Sequence, residues 1–270
     1  MATLVAFHAH PDDESISMGG TMAIAAAAGH KVVVVTATDG AVGEVAEGFL
    51  NPGESLEDRR AVELQEAARI LGIDRAVHLG YRDSGMMGTE DNEHPNCFWR
   101  ADPDEAAAKL AAILEEEGAD VLTVYDSHGG YGHPDHIQVH RVGHAAAKLA
   151  GVARVYEVTM NRDRIREMRE MRPAEDGPDE SDDRIDFDKI GLPESEITAA
   201  IDVSDLIATK RAAMAVHASQ IDEDSWFLQL PPEVFVMSFG TEWFRQVTPV
   251  FAGDPVKDRQ DWIVPEVTTK

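Results

Sequence analysis

The feature that most constrains this chain is Val32-Val33-Val34-Val35, four β-branched residues in a row with no polar break. Such a run is apolar on both sides of a strand, and a strand covered on both faces belongs to a parallel sheet between layers of helices. The flanking segments can supply those layers. Residues 3–8 read as a short buried strand, followed by a polar turn and an Ala-rich helical stretch over about 17–28 that Gly29 is placed to end. Strand, helix and strand make one βαβ unit.

The alternation continues along the chain. Helices are expected over 56–71, closed by Gly72, over 104–117, opened by Pro103, and over 135–150. Short strands are expected between them at 76–79, 121–125 and 154–158. The fold class predicted is α/β, a Rossmann-like three-layer core with a mainly parallel sheet and right-handed crossovers. A single unit is expected over 1–270, with its core over 1–158 and a charged, Pro-rich excursion or lid over about 161–196. The C-terminal elements, 197–270, are expected to hold a strand at 198–203, a helix at 205–217 and apolar cover at 235–244.

Charge narrows the partners. With 50 acidic against 24 basic residues, the formal charge of -26 repels phosphate backbones and anionic lipid, so neither nucleic acid nor membrane is expected as a partner. Much of the excess, including the run over 175–188, reads as solvated surface. The single cysteine, Cys97, excludes an internal disulfide and a Cys-rich metal centre, and points to a reducing cytoplasm. The first residues lack the charged start and long apolar stretch of a signal peptide.

Two segments concentrate the chemistry. His8-Ala9-His10-Pro11-Asp12-Asp13-Glu14 places two imidazoles and three carboxylates directly after the first strand. A helix cap needs one such acid and no histidine. Asp126-Ser127-His128-Gly129-Gly130-Tyr131-Gly132-His133-Pro134-Asp135-His136 follows another strand, with His140 one turn further along the helix. Both therefore belong at the carboxyl edge of the sheet, where open α/β folds bind ligands. Neutral imidazole and carboxylate donors suit a divalent metal with an open position, and the glycines would let the backbone approach a substrate closely. The chain carries no G-x-G-x-x-G after its first strand, no P-loop and no G-x-S-x-G elbow, which removes dinucleotide, nucleotide and serine-hydrolase readings. The remaining histidines, His8, His30, His78, His94, His144 and His217, read as structural.

Taken together, His10-Pro11-Asp12-Asp13-Glu14 and Gly132-His133-Pro134-Asp135-His136 resemble the LmbE-like, PIG-L-type N-acetylglucosaminyl deacetylases. The likeness covers most of residues 3–158, with an echo at 210–220, where Val216-His217-Ala218-Ser219-Gln220 is similar to the family's terminal helix. It is closest to the mycothiol-biosynthesis branch, which acts on N-acetylglucosaminyl-inositol. The resemblance implies that His10, Asp13 and His136 bind the metal and that Asp12 is the general base. It further implies that His133, oriented by Asp135, stabilises the tetrahedral intermediate or protonates the leaving amine, with Tyr131 polarising the carbonyl. Arg60, and Asp83 within Arg82-Asp83-Ser84-Gly85-Met86, are implied as substrate contacts. Zinc is the metal expected, with ferrous iron as the alternative.

The substrate expected is a small amino sugar whose N-acetyl group is hydrolysed to acetate. Met18 stands where the related mycothiol S-conjugate amidases would have a lysine nearby, which favours deacetylase over amidase. A phosphoesterase would need two metals and cationic phosphate clamps. A metal-containing sugar-binding protein without catalysis would not need Asp12 and His133. Homo-oligomerisation is left open by the sequence.

Overall fold

The computed structural model describes residues 1–170 and 189–265. Strand β1 (Thr3–His8) is buried along its whole length and β2 (Lys31–Thr38) nearly so, and they pair in parallel with Val5 opposite Val33 and Phe7 opposite Val35. The valine run thus lies where both of its faces are covered. Strand β3 (Arg75–Tyr81) joins β2, while β4 (Val121–Tyr125) joins β1 on its other side and β5 (Arg154–Thr159) joins β4, all in parallel. Two antiparallel strands finish the sheet, β6 (Ala199–Asp202) and β7 (Thr241–Thr248), giving the order β3-β2-β1-β4-β5-β7-β6.

Helices α1 (Asp13–Ala27), α2 (Leu56–Leu71) and α7 (Ile207–Ala215) pack against one another, and α3 (Pro103–Glu117) packs against α5 (Pro134–Ala150). These two groups enclose the sheet and complete the predicted three-layer α/β architecture. Helix ends follow their local chemistry: Ser55 and Asp102 accept backbone N–H groups as N-caps, and Gly72, Gly118 and Gly151 close helices in the left-handed conformation. The remaining helices are short: α4 (Gly129–Gly132), α6 (Arg162–Glu170), α8 (Trp226–Gln229) and α9 (Pro232–Phe239). Among the described residues, no helix is long and apolar enough to cross a membrane.

Three local expectations change. Helix α1 begins at Asp13 rather than near residue 17, so the acidic cluster forms its first turn, at the positive end of the helix dipole. The apolar cover expected at 235–244 divides into α9 and the first half of β7. Its strand character is disguised because Glu242 takes an inward position, where it pairs with Lys210 at 2.6 Å and accepts the N–H groups of Gly20 and Thr21. The charged excursion leaves through α6 and returns over 189–196, with the Gly191 N–H donating to the Gly130 carbonyl at 2.8 Å; its acidic run over 175–188 lies outside the described residues.

Candidate functional site

The strand order reverses between β1 and β4, because β2 and β3 lie to one side and β5 to the other. Loops leaving the carboxyl ends of such neighbours diverge and open a crevice. β1 ends at His8 and β4 at Tyr125, and His8 Nδ1 lies 2.9 Å from the Tyr125 hydroxyl, so the two chemistry-bearing loops start side by side. Residues 10 and 136, far apart in sequence, meet here.

His10, Asp13, Asp83, His133, Asp135 and His136 are all buried in one cluster. Asp13 Oδ2 lies 3.3 Å from His10 Nδ1, 3.3 Å from His136 Nε2 and 2.8 Å from the His10 backbone N–H. The rear of His10 is also held: its Nε2 is 3.2 Å from Asp135 Oδ2 and 3.4 Å from Asp83 Oδ1. His10, His133 and His136 each offer a nitrogen within 4.8 Å of the other two. Asp83 and Asp135 join His10 and His133 in a second such set, and Asp13, which belongs to neither, lies against both His10 and His136.

The contacts of Asp13 with His10 and His136 suit a cation. His136 Nε2 is buried, makes no hydrogen bond and faces a carboxylate oxygen. Tetrahedral bonds of about 2.0–2.1 Å place neighbouring donors about 3.3–3.4 Å apart, which both edges at Asp13 match. The carboxylates behind His10 are the outer partners that fix the tautomer of a ligating imidazole. Electrostatics point the same way: burial pushes the Asp13 carboxyl up, but the His136 and His10 imidazoles more than offset this and hold it well below its ordinary range. For His10, burial is outweighed by Asp13, Asp135 and Asp83, and its pKa is raised well above normal. Four acids converge on this crevice, a charge balance that calls for a cation.

Asp12 stands apart from this set. It is a non-glycine residue at φ 130°, a strained conformation that persists only when its surroundings enforce it. Enforcement comes from two sides. The Asp12 N–H donates to Glu14 at 2.9 Å, and Arg60 Nη2 lies 3.1 Å from Asp12 Oδ2 while also donating to the Pro11 carbonyl. Burial pushes the Asp12 carboxyl up to about 6, against the pull of Arg60. Glu14 is in turn locked to His217 at 2.7 Å, with both side chains wholly buried.

His133 caps α5: its Nδ1 accepts the Asp135 N–H at 3.2 Å, which leaves the ring proton on Nε2. Burial first, then the neighbouring His10 and His136, push its pKa down to about 2, so it is a neutral donor. Asp135 thus holds His133 through its backbone amide, while its carboxylate reaches the Ser84 hydroxyl and, at 2.9 Å, the Ser84 N–H. Tyr131 is 41% exposed at the crevice mouth, its ring 4.9 Å from His136 and 6.2 Å from His133.

The implied substrate contacts, Arg60 and Asp83, are both buried against the cluster. Arg60 is 3% exposed, and its guanidinium is bound by Asp12, Pro11, Gly40 and Gln220. Asp83 is 4% exposed and turned toward His10 and the Gly85 and Val42 amides. In the glycine loop, a Cβ on Gly129, which has φ +62°, would come within 2.5 Å of His136 Cβ, so this glycine lets the loop close onto α5. Residues 216–220 form a turn after α7, not a helix, and that turn presents Gln220 to Arg60 and Ser219 to Glu63.

Several contributors escaped sequence reasoning. Asp126, fully buried, accepts the His128 and Gly130 amides and the Thr159 hydroxyl and so shapes the glycine loop. Ser84 and the Glu14–His217 pair are of the same kind. Only an acid directly after a strand gave a hint of Asp126.

Comparison with known proteins agrees with this arrangement. The sequence profile of the PIG-L family, GlcNAc-PI de-N-acetylase, matches residues 5–147. The chain is 40% identical over 256 residues to a 1D-myo-inositol 2-acetamido-2-deoxy-alpha-D-glucopyranoside deacetylase of Salinispora arenicola, covering 89% of this chain and 83% of that protein. It is 42% identical over 233 residues to the protein of the same name from Nocardiopsis dassonvillei, covering 79% and 83%. In fold it is similar to the N,N'-diacetylchitobiose deacetylase from Pyrococcus horikoshii, with a TM-score of 0.61, 20% identity and coverage of 92% of this chain and 84% of that one.

Proposed function

The chain belongs to the PIG-L family, and from that premise we propose that it is a metal-dependent N-deacetylase of an N-acetylglucosaminyl-inositol substrate, with zinc as the working metal. The observation that carries the reading is the convergence of His10, Asp13 and a His136 whose Nε2 makes no hydrogen bond, at the point where the strand order reverses. The choice of substrate is supported by relatives of that name at about 40% identity.

His10, Asp13 and His136 would hold the cation, and Tyr131, at the mouth, is placed to meet the acyl group. A cation held there would supply the polarisation of an amide carbonyl and lower the pKa of a water toward about 7. Asp12 is the proton acceptor: its carboxyl, raised to about 6, is ionised at neutral pH yet basic enough to take a proton. Arg60 and the Glu14 contact hold that carboxylate in a conformation that a free aspartate would avoid. His133 presents a neutral Nε2–H, which suits it to donate to an oxygen that gains negative charge. The proton that Asp12 accepts is the one that the departing amine needs. Burial around His10 and His133 limits competing water, which strengthens each of these contacts.

The test is acetate release from N-acetylglucosamine, its inositol and malate conjugates and N,N'-diacetylchitobiose, with metal analysis on the same sample. The inositol conjugate should give the highest kcat/KM with zinc bound. Metal-loaded protein that frees no acetate from any of the four would refute the reading.

A further inference from the structure

Helix α5 carries a second set of donors beyond the crevice. His140 and His144, one and two turns past His136, lie on one face of the helix with ring centroids 4.5 Å apart. Two histidines four apart on a helix can address one ion. Across from them, β5 contributes Glu157, 1% exposed. Its Oε1 lies 2.9 Å from His144 Nε2 and 3.3 Å from His140 Nδ1. The other oxygen, Oε2, accepts from Arg245 Nε at 2.7 Å, so one oxygen is fixed and the other faces the imidazoles. His140 Nδ1 also lies 3.0 Å from the Tyr125 carbonyl, to which it can only donate, so an ion at this nitrogen must displace that hydrogen bond.

We propose that His140, His144 and Glu157 form a second divalent-cation site, distinct from the crevice, which takes a borderline transition ion such as zinc, cobalt or nickel. Each residue offers a donor atom within 4.8 Å of the other two. The separations of 2.9 and 3.3 Å approach a tetrahedral edge, and binding requires that the proton on His140 Nδ1 be given up. Two imidazoles and one carboxylate select such ions over magnesium or calcium, which want oxygen donors. The imidazole side chains are 23% and 30% exposed, leaving one side open for water to complete the coordination. Arg245 orients Glu157 but also neutralises it, which makes this the weaker of the two sites. A cation here would clamp α5 to β5, on the same helix that presents His133 and His136. The inference uses no residue of the proposed deacetylase site and stands apart from that reading.

Cobalt titration of the full chain, followed by metal count, visible absorption and thermal melting, tests it. The wild type should bind two equivalents and His136→Ala one. In His136→Ala the remaining equivalent should raise the melting temperature, because an ion that binds the native state stabilises it. Adding His140→Ala and His144→Ala should weaken that binding by more than about 100-fold, beyond the usual loss of an outer partner, and remove both the absorption and the melting shift. The pair His140→Ala/His144→Ala alone should keep one equivalent in the crevice. Both variants leave Glu157 paired with Arg245, and a cooperative melting transition without cobalt checks that they fold. His136→Ala that binds no cobalt, or a triple variant that binds it as tightly as His136→Ala, overturns the proposal.

Discussion

The two histidine-and-carboxylate clusters share helix α5 but differ in how their charge is balanced. In the crevice, Asp12, Asp13, Asp83 and Asp135 converge, and Arg60 is the guanidinium that reaches them, bound to Asp12 alone. His136 Nε2 faces Asp13 but makes no hydrogen bond. Further along the helix, Glu157 is met by Arg245 on one side and two imidazoles on the other, so the charge is nearly compensated within the protein. The same residue types thus do different work. An uncompensated cluster is held together by the ion it binds, whereas a compensated one persists without an ion and binds one only as an addition.

The largest effect that would break this contrast lies in the crevice. His136→Ala should abolish metal binding there and, with it, several kcal/mol of barrier lowering, which is more than about 10³-fold in kcat. Asp12→Ala should keep the metal yet lower kcat by about 10²–10⁴-fold, the usual contribution of a positioned base. Metal analysis beside kinetics separates them. If the Asp12 variant retains activity, or loses its metal as His136→Ala does, the division between ligand and base is wrong.

A smaller effect sharpens the role of Arg60, which sequence resemblance marks as a substrate contact and the structure buries against Asp12. Arg60→Lys keeps the charge but cannot reach Asp12, Pro11, Gly40 and Gln220 together. A group that positions the base should show a drop in kcat of about 10–100-fold with KM little changed. A rise in KM at constant kcat would restore the substrate-contact role.

Arg60 also marks the limit of what the sequence discloses. The parallel sheet was legible because its signals are local: the valine run, Gly29 and Gly72 after their helices, Pro103 at the start of another. The site's location was legible because both motifs directly follow strands. What was hidden depends on contacts between distant residues. The ion pair of Asp12 with Arg60 spans the gap from β1's loop to α2, and Asp135 sends its carboxylate to Ser84 instead of to the histidine two residues away. Glu242 concealed β7 for the same reason, since a buried acid cannot be placed until Lys210 and the α1 amides that receive it are known. Resemblance named the residues, and packing decided what each one touches.

The smallest effect probes the compensated cluster without its ion. Burial raises the Glu157 carboxyl, but His140, His144 and Arg245 outweigh it and hold it down to about 2, against about 4.3 for an unfolded glutamate. A carboxyl depressed on folding stabilises the protein above its unfolded pKa, and that contribution fades as pH falls from about 4.3 toward 2. With chelator present, Glu157→Gln should therefore lower stability at pH 7 by on the order of 2 kcal/mol in urea unfolding, and the deficit should shrink at pH 3. The Arg245 charge left behind adds a pH-independent part to the loss. If the deficit were the same at pH 7 and pH 3, Glu157 would act through its shape and hydrogen bonds alone. The two clusters would then differ in more than charge balance.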